Sequence, residues 1–196
     1  MTQNSVKIAV TGGIGSGKSA VCGFLRAEGY PVFSCDEIYV ELCANPQFLQ
    51  KISANFGDVL TSDGALDKKK LANKVFGDKN LLKKLEEITH PAIMQQLFKR
   101  ASLRGLNFCE VPLLFEKGFQ KYFDAVIVVL RDKNERIAAA VKRDGSDEKS
   151  VVLRMQNQID YDNYDFTKYY VINNAGNLDN LKEKTKEILC LINKSL

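Results

Sequence analysis

Gly12-Gly13-Ile14-Gly15-Ser16-Gly17-Lys18-Ser19 carries the plainest chemistry in this sequence. It satisfies G-x-x-x-x-G-K-[ST], and it stands between a predicted strand and a predicted helix, the context in which that pattern acts. Glycines admit the left-handed backbone angles that turn successive N–H groups inward. Together with the positive end of the following helix, those groups hold phosphate oxygens. The side chain of Lys18 then reaches the β and γ phosphates, and the Ser19 hydroxyl ligates Mg²⁺. A rival reading takes Gly15, Gly17 and Ala20 as the looser G-x-G-x-x-A of dinucleotide-binding folds, with Asp36 as the acid further on. Its register is wrong, because the first glycine of that motif closes the strand directly, whereas Gly15 comes several residues after Val10.

A phosphate loop alone does not separate a kinase from a GTPase or a motor. Neither N-K-x-D nor D-x-x-G occurs downstream, so guanine specificity and a γ-phosphate switch are not written here. A small-molecule kinase needs a carboxylate near the phosphates to take the acceptor's proton, and a basic segment to close over the transferring group. Asp36 answers the first need, since it leaves the second predicted strand, expected beside the first, on the edge where ligands of open α/β sheets sit. Two of Arg136, Arg143 and Arg154 are expected to answer the second by acting on ATP, with Arg143 to Gln158 as the segment expected to fold over the γ-phosphate. A kinase acting on nucleosides or shikimate, and an ATP-driven switch, remain alternatives on these residues alone.

The elements that must position these groups follow from apolar periodicity. Val6 to Val10 reads as a buried first strand, and Ser19 to Glu28 has helical spacing ended by Gly29. Tyr30 to Cys35 reads as a second strand, with Asp36 at the hand-over to the next helix. From about Ile38 to Arg104 the pattern is almost wholly helical, with Leu81, Leu82, Leu85 and Ile88 expected on one face. Pro91 is expected to break this stretch at Thr89-His90 and to restart a helix, which places His90 at a helix start. Further strands are expected at Leu106 to Val111, Ala125 to Leu130 and Tyr169 to Asn173. The first two are separated by a turn over Pro112 to Gly118. Helices fall at Asn134 to Lys142, from a Ser146 cap onward, and at the C-terminus. Strands alternating with helices predict an α/β fold whose mainly parallel sheet is covered on both faces.

Composition limits the alternatives. With 45% hydrophobic and 27% charged residues over 196 positions, the chain supports one compact domain with an insertion rather than two independent cores. A net charge of +4 suits anionic ligands without demanding nucleic acid, and the lysine runs 68–70 and 83–84 lack interleaved aromatics, so no nucleic-acid partner is expected. Five scattered cysteines form neither a zinc knuckle nor a disulfide framework and fit a reducing cytoplasm. The longest apolar run, Ala125 to Leu130, falls far short of the roughly 20 residues that span a bilayer, so no membrane partner is expected either.

Several further segments complete a pattern in fixed order. They are Thr89-His90-Pro91-Ala92-Ile93, Val111-Pro112-Leu113-Leu114-Phe115-Glu116, Arg143-Asp144, Arg154 with Gln158, and Val171-Ile172-Asn173-Asn174 with Gly176. With the phosphate loop and Asp36, they make nearly the whole chain resemble the dephospho-CoA kinase family of P-loop small-molecule kinases. The resemblance implies a P-loop NTPase-type three-layer fold in a single domain, 1–196. A helical coenzyme A subdomain would be inserted at about 38–105, and a lid would cover about 143–165. It implies ATP and Mg²⁺ as cofactors, dephospho-CoA as substrate, a cytoplasmic monomer or weak homo-oligomer, and transfer to the 3′-hydroxyl of the acceptor ribose. It further implies Asp36 as catalytic base with Lys18 and Arg143 in the catalytic set. Gly13 to Ala20 (Gly13, Ile14, Gly15, Ser16, Gly17, Lys18, Ser19, Ala20) and Arg154 would bind ATP, and Asn174 and Gly176 would flank adenine. His90, Pro112, Leu113, Leu114 and Glu116 would lie toward the acceptor. The chain departs from the family at Ser34-Cys35-Asp36, where Asp-Ala-Asp is usual, and at Val40 and Met94, where arginines are common. Asn173 also differs, and so does Glu110, which introduces a carboxylate that could assist Mg²⁺ in the Walker B manner.

Overall fold

The computed structural model describes residues 5–195. Its centre is a sheet of five strands, β1 (Ser5–Thr11), β2 (Val32–Ser34), β3 (Gly105–Glu110), β4 (Ala125–Leu130) and β5 (Tyr170–Asn173). Their spatial order is β2-β3-β1-β4-β5. β1 pairs in parallel with β3 and β4, and β4 pairs in parallel with β5. The sequence predicts β2 beside β1; instead β3 lies between them. Burial explains the order: the last four residues of β3 are all buried, whereas β2 is short and mostly half-buried, which suits a sheet edge.

Apolar residues sit on both faces of the sheet. Ile8, Val10, Phe108, Ile127, Val129 and Ile172 pack with Val21, Cys22 and Leu25 of α1 (Lys18–Ala27) and with Leu181, Leu189 and Ile192 of α8 (Leu178–Ser195). Their sequence neighbours Ala9, Cys109, Val126 and Val128 point the other way and are buried too. The register pairs Val10 with Glu110 and Thr11 with Val128, which brings the C-terminal ends of β1 and β3 side by side. Chemistry at the end of either strand is therefore within reach of the other.

The chain forms two compact units, one running to Phe33 and resuming at Ala101, the other spanning Ser34–Arg100. The second is helical: α2 (Cys35–Leu42), α3 (Pro46–Phe56), α4 (Lys68–Val75) and α5 (Lys79–Arg100). Phe48, Ile52, Phe56, Val59, Leu71, Val75 and Ile88 form its core. Its helix starts are built locally. Asn45 Oδ1 accepts from the Gln47 and Phe48 amides with Pro46 at the first helical position, and Asp67 Oδ1 accepts from the Lys70 amide.

Three further sequence expectations are corrected by the helices. Pro91 does not break the chain, because α5 runs unbroken from Lys79 to Arg100 and His90 lies in its middle. An interior proline costs about 3 kcal/mol, and burial of Ile88, Met94 and Leu97 on the same helix outweighs it. Leu82 does not share the face of Leu81, Leu85 and Ile88; it is 46% exposed, one helical step of about 100° away from Leu81. Between α6 (Lys133–Asp144) and α7 (Glu148–Met155) the cap is Asp147 rather than Ser146. Its carboxylate accepts from both the amide (2.9 Å) and the hydroxyl (2.8 Å) of Ser150, and an anion at a helix start is further favoured by the helix dipole.

Candidate active site

The glycine-rich segment leaves β1 at Thr11 and enters α1 at Lys18, and its turn is set by backbone that only glycine adopts readily. Gly15 and Gly17 have φ of +74° and +100°. A Cβ on Gly15 would stand 2.1 Å from the Arg136 carbonyl oxygen, and one on Gly12 would stand 2.3 Å from that of Val129. The loop is thus pressed against α6 and β4, with no room for a side chain. Gly17 precedes α1 directly and its carbonyl takes the Ala20 and Val21 amides, so the Lys18 and Ser19 amides ahead of them have no intrahelical carbonyl partner. Lys18 Nζ folds back over the loop and donates to the Gly12 (2.7 Å) and Gly13 (3.0 Å) carbonyls. An ammonium anchored there arches across the space that a polyphosphate chain would occupy.

Ser19, one residue on, donates its hydroxyl to Glu110 Oε1 at 2.8 Å. Glu110 ends β3 and is 7% exposed, and strand register alone brings it here. Among the described residues no group of three or more His, Cys, Asp and Glu is arranged to hold a metal. Mg²⁺ does not need such a cage, because it takes one or two protein ligands and fills the remainder with water and phosphate oxygens. A serine hydroxyl beside a buried carboxylate fits that requirement.

A cleft is lined by residues 15–20 of the loop and α1 together with Arg131, Arg143, Asn174, Leu178 and Leu181. Arg143 lies in the last turn of α6 and chelates Asp144 through Nε (2.6 Å) and Nη2 (3.1 Å). Arg154, in α7, reaches the same carboxylate at 2.7 Å. Hydrogen bonds from these two guanidinium groups hold the Asp144 carboxyl well below the usual carboxylate range. Both arginines are largely exposed, and one carboxylate bridges the two cations. Arg136 differs from them: it is 4% exposed and bonds Asp162 through Nη2 at 2.8 and 3.0 Å. It braces the loop, its backbone carbonyl closing on Gly15 and its Nη1 on Gly13.

Asn174, at the exit of β5, donates its Nδ2 to the Ser16 carbonyl at 2.8 Å and is 9% exposed. It supports the phosphate loop as well as lining the cleft. Gly176 follows in the turn before α8, with φ of +108°. Glu116 accepts from the Ile159 amide through Oε1 at 3.0 Å, tying the turn after β3 to the segment after α7. Leu114 is fully buried and serves packing, and Phe115 stacks among Tyr164, Phe166 and Tyr169. Pro112 and Leu113 are half-buried. In the helical unit Asp36 stands exposed in the first turn of α2, directly after β2, and His90 is half-buried on α5. Sequence reasoning passed over Arg131, the Asp144 bridge and the Asp162 partner of Arg136. A carboxylate next to Arg143 was the one visible hint among them.

With this geometry in hand, the dephospho-CoA kinase family model matches residues 6–180. The chain belongs to the dephospho-CoA kinase family. A dephospho-CoA kinase of Corynebacterium glutamicum is 34% identical over 194 residues, covering 95% of this chain and all of the relative. One from Bdellovibrio bacteriovorus is 35% identical over 189 residues, covering 93% and 94%. Among solved structures, the crystal structure of TT1252 from Thermus thermophilus superposes with a TM-score of 0.84 at 32% identity, over 96% of this chain and 98% of that one. Dephospho-CoA kinase from Campylobacter jejuni shares the fold with a TM-score of 0.65, at 24% identity over 95% and 96%. Members of the dephospho-CoA kinase family are ATP-dependent kinases that convert dephospho-CoA to coenzyme A, the last step of coenzyme A biosynthesis, and the phosphate loop described above is the part of that machinery most completely formed here.

Proposed function

We propose that this chain transfers the γ-phosphoryl group of ATP, in line, to the 3′-hydroxyl of the dephospho-CoA ribose. The observation that carries the reading is the complete phosphate loop, with Lys18 arched over it and Ser19 on Glu110, in a chain matched to the family over residues 6–180. The acceptor oxygen forms the new bond to phosphorus while the bond to the β–γ bridging oxygen breaks, and ADP leaves with that electron pair. The transition state is loose, so the protein's task is positioning and charge neutralisation. Loop amides and Lys18 hold the phosphate oxygens, while Arg143 and Arg154, on the lid at about 143–165, exchange part of their hold on Asp144 for the γ-phosphate. Asp36 accepts the hydroxyl proton late in the transfer. Its support is its exposed position in the first turn of α2.

Ser19, backed by Glu110, would hold Mg²⁺, which when bound neutralises charge on the β and γ phosphates. Asn174 with the apolar wall of Leu178 and Leu181 suits adenine, next to Gly176. His90, Pro112, Leu113 and Glu116 are assigned to the acceptor side by resemblance, with Leu114 acting through packing. A coupled ADP-release assay against dephospho-CoA, shikimate and nucleosides tests the reading. Response to dephospho-CoA alone is expected; a larger response to shikimate or a nucleoside, or rapid ATP hydrolysis without any acceptor, overturns it.

A further inference from the structure

Ile14 belongs to the phosphate loop, yet its amide does not bond within the loop. It donates to Gln158 Oε1 at 2.8 Å, across 144 positions of sequence. Gln158 follows α7 by three residues, and it is the first of a row of ties that fasten this segment down. The Ile159 amide donates to Glu116, and Asp162 receives both hydrogen bonds from Arg136. Tyr161 is 5% exposed and packs its ring beside Gly13, 3.4 Å from where a Cβ would stand. Burial pushes its phenol pKa strongly up, so the ring stays neutral. Just upstream, α7 buries Val151 fully and exposes Leu153 at 62%, and its Arg154 shares the Asp144 carboxylate with Arg143.

We propose that Gln158 is a positioning residue that registers the arginine-bearing segment 143–155 to the phosphate loop. Three residues past α7, the segment is pinned to an amide of the phosphate loop itself. Movement of the pinned end by an ångström would displace the loop, the arginines or both. A neutral acceptor suits the place: a carboxylate would bond the Ile14 amide equally well but would set a negative charge against incoming phosphates. Gln158 touches no reacting atom in this arrangement and acts through Ile14. The inference rests on the kinase reading above for its kinetic consequence, but the tie itself does not.

Two variants test it. Gln158→Leu keeps the volume and removes the acceptor; Gln158→Glu keeps the acceptor and adds charge. Misplacement of about 1 Å costs roughly 100-fold in rate, so Gln158→Leu is expected to lose on that order in kcat. ATP hydrolysed per phosphorylated acceptor should rise, and the acceptor KM should stay unchanged. Gln158→Glu is expected to recover most of kcat and to raise the KM for ATP about tenfold, the cost of one unfavourable charge interaction of moderate size. Hydrogen exchange of the peptide covering residues 12–17, read without any substrate, should quicken in Gln158→Leu and not in Gln158→Glu. Parental exchange at this peptide in Gln158→Leu, or kcat and coupling within twofold of the parent, overturns the proposal. A loss shared equally by both variants and tracking their melting temperatures also overturns it, since it would mark a packing role only. Failure of the kinase reading would appear instead as a parent without dephospho-CoA activity, with the exchange difference intact.

Discussion

The two units of this chain prepare for chemistry in opposite ways. In the sheet unit five side chains around the phosphate loop are already committed, although the buried Ser16 hydroxyl is not. Lys18 is on two carbonyls, Ser19 on Glu110, Asn174 on Ser16, Arg136 on Asp162 and Gln158 on Ile14. In the helical unit the core is just as firm, with Ile52 and Val59 fully buried, but Asp36 stands at an exposed helix start. The difference teaches where binding energy is used. Donors aimed at a fixed charge distribution gain from being preorganised, because no rearrangement is then needed as the charge develops. The acid–base role proposed for Asp36 would instead await its partner, whose approach removes water and completes the geometry.

Removing the poised group should give the largest effect on rate with the least effect on structure. General-base catalysis contributes about 10²–10⁴-fold, so Asp36→Asn is expected to lose on the order of 1,000-fold in kcat while ATP affinity stays within about twofold. Steady-state kinetics and a nucleotide titration read the two halves separately. A variant retaining near-parental turnover would break the contrast, since the helical unit would then supply no base.

The preorganised side should respond the other way, losing nucleotide binding along with rate. Lys18→Ala removes the ammonium over the loop, and a lost charge-stabilising donor costs about 3 kcal/mol, on the order of 100-fold in turnover. Gly15→Ala should be as severe for a different reason: the added Cβ would lie 2.1 Å from a carbonyl oxygen at φ of +74°. ATP titration of both variants is the check. Unaltered affinity in Gly15→Ala would mean that the loop is not held in one conformation.

Much of this contrast is visible in the sequence, and the reason is locality. The phosphate loop is contiguous, so its glycines, lysine and serine announce themselves between an apolar run and a helical one. The strands at 125–130 and 170–173 are legible because continuous β-branched runs have few other uses. Strand order is not legible, since it depends on which buried run competes best for the centre of the sheet. Pro91 misleads for a related reason, because a local penalty is overruled by packing that only the tertiary structure supplies. The Ser19–Glu110 and Ile14–Gln158 pairs, 91 and 144 positions apart, arise from register and from chain return, and no spacing rule encodes them.

The Ser19–Glu110 pair sharpens the comparison at intermediate scale. Groups that hold a metal ligand in place change metal affinity by about 10–100-fold when lost. Glu110→Gln keeps a hydrogen bond to Ser19 and removes the charge, so the Mg²⁺ concentration for half-maximal activity should rise about tenfold, with kcat at saturating Mg²⁺ near the parental value. A parental Mg²⁺ titration would show that the carboxylate serves only to orient the serine.

The smallest effect belongs to the exposed Asp144 bridge, and its sign follows from the direction of its shift. Arg143 and Arg154 lower this carboxyl in the folded state, so its contribution to stability is fully present above the unfolded value near 3.9. It is lost as the pH falls through the folded value. Exposure and solvent screening keep that contribution slight. Asp144→Asn should therefore melt about a degree below the parent at neutral pH. That offset should be constant between about pH 6 and 9 and should close as the pH falls below about 4. Calorimetry across this range is decisive: a gap that widens in acid, or varies near neutrality, would mean that another group titrates against the two arginines. The sheet unit's cations would then depend on an interaction other than this bridge, and the preorganisation argued for its loop would not extend to the segment that carries them.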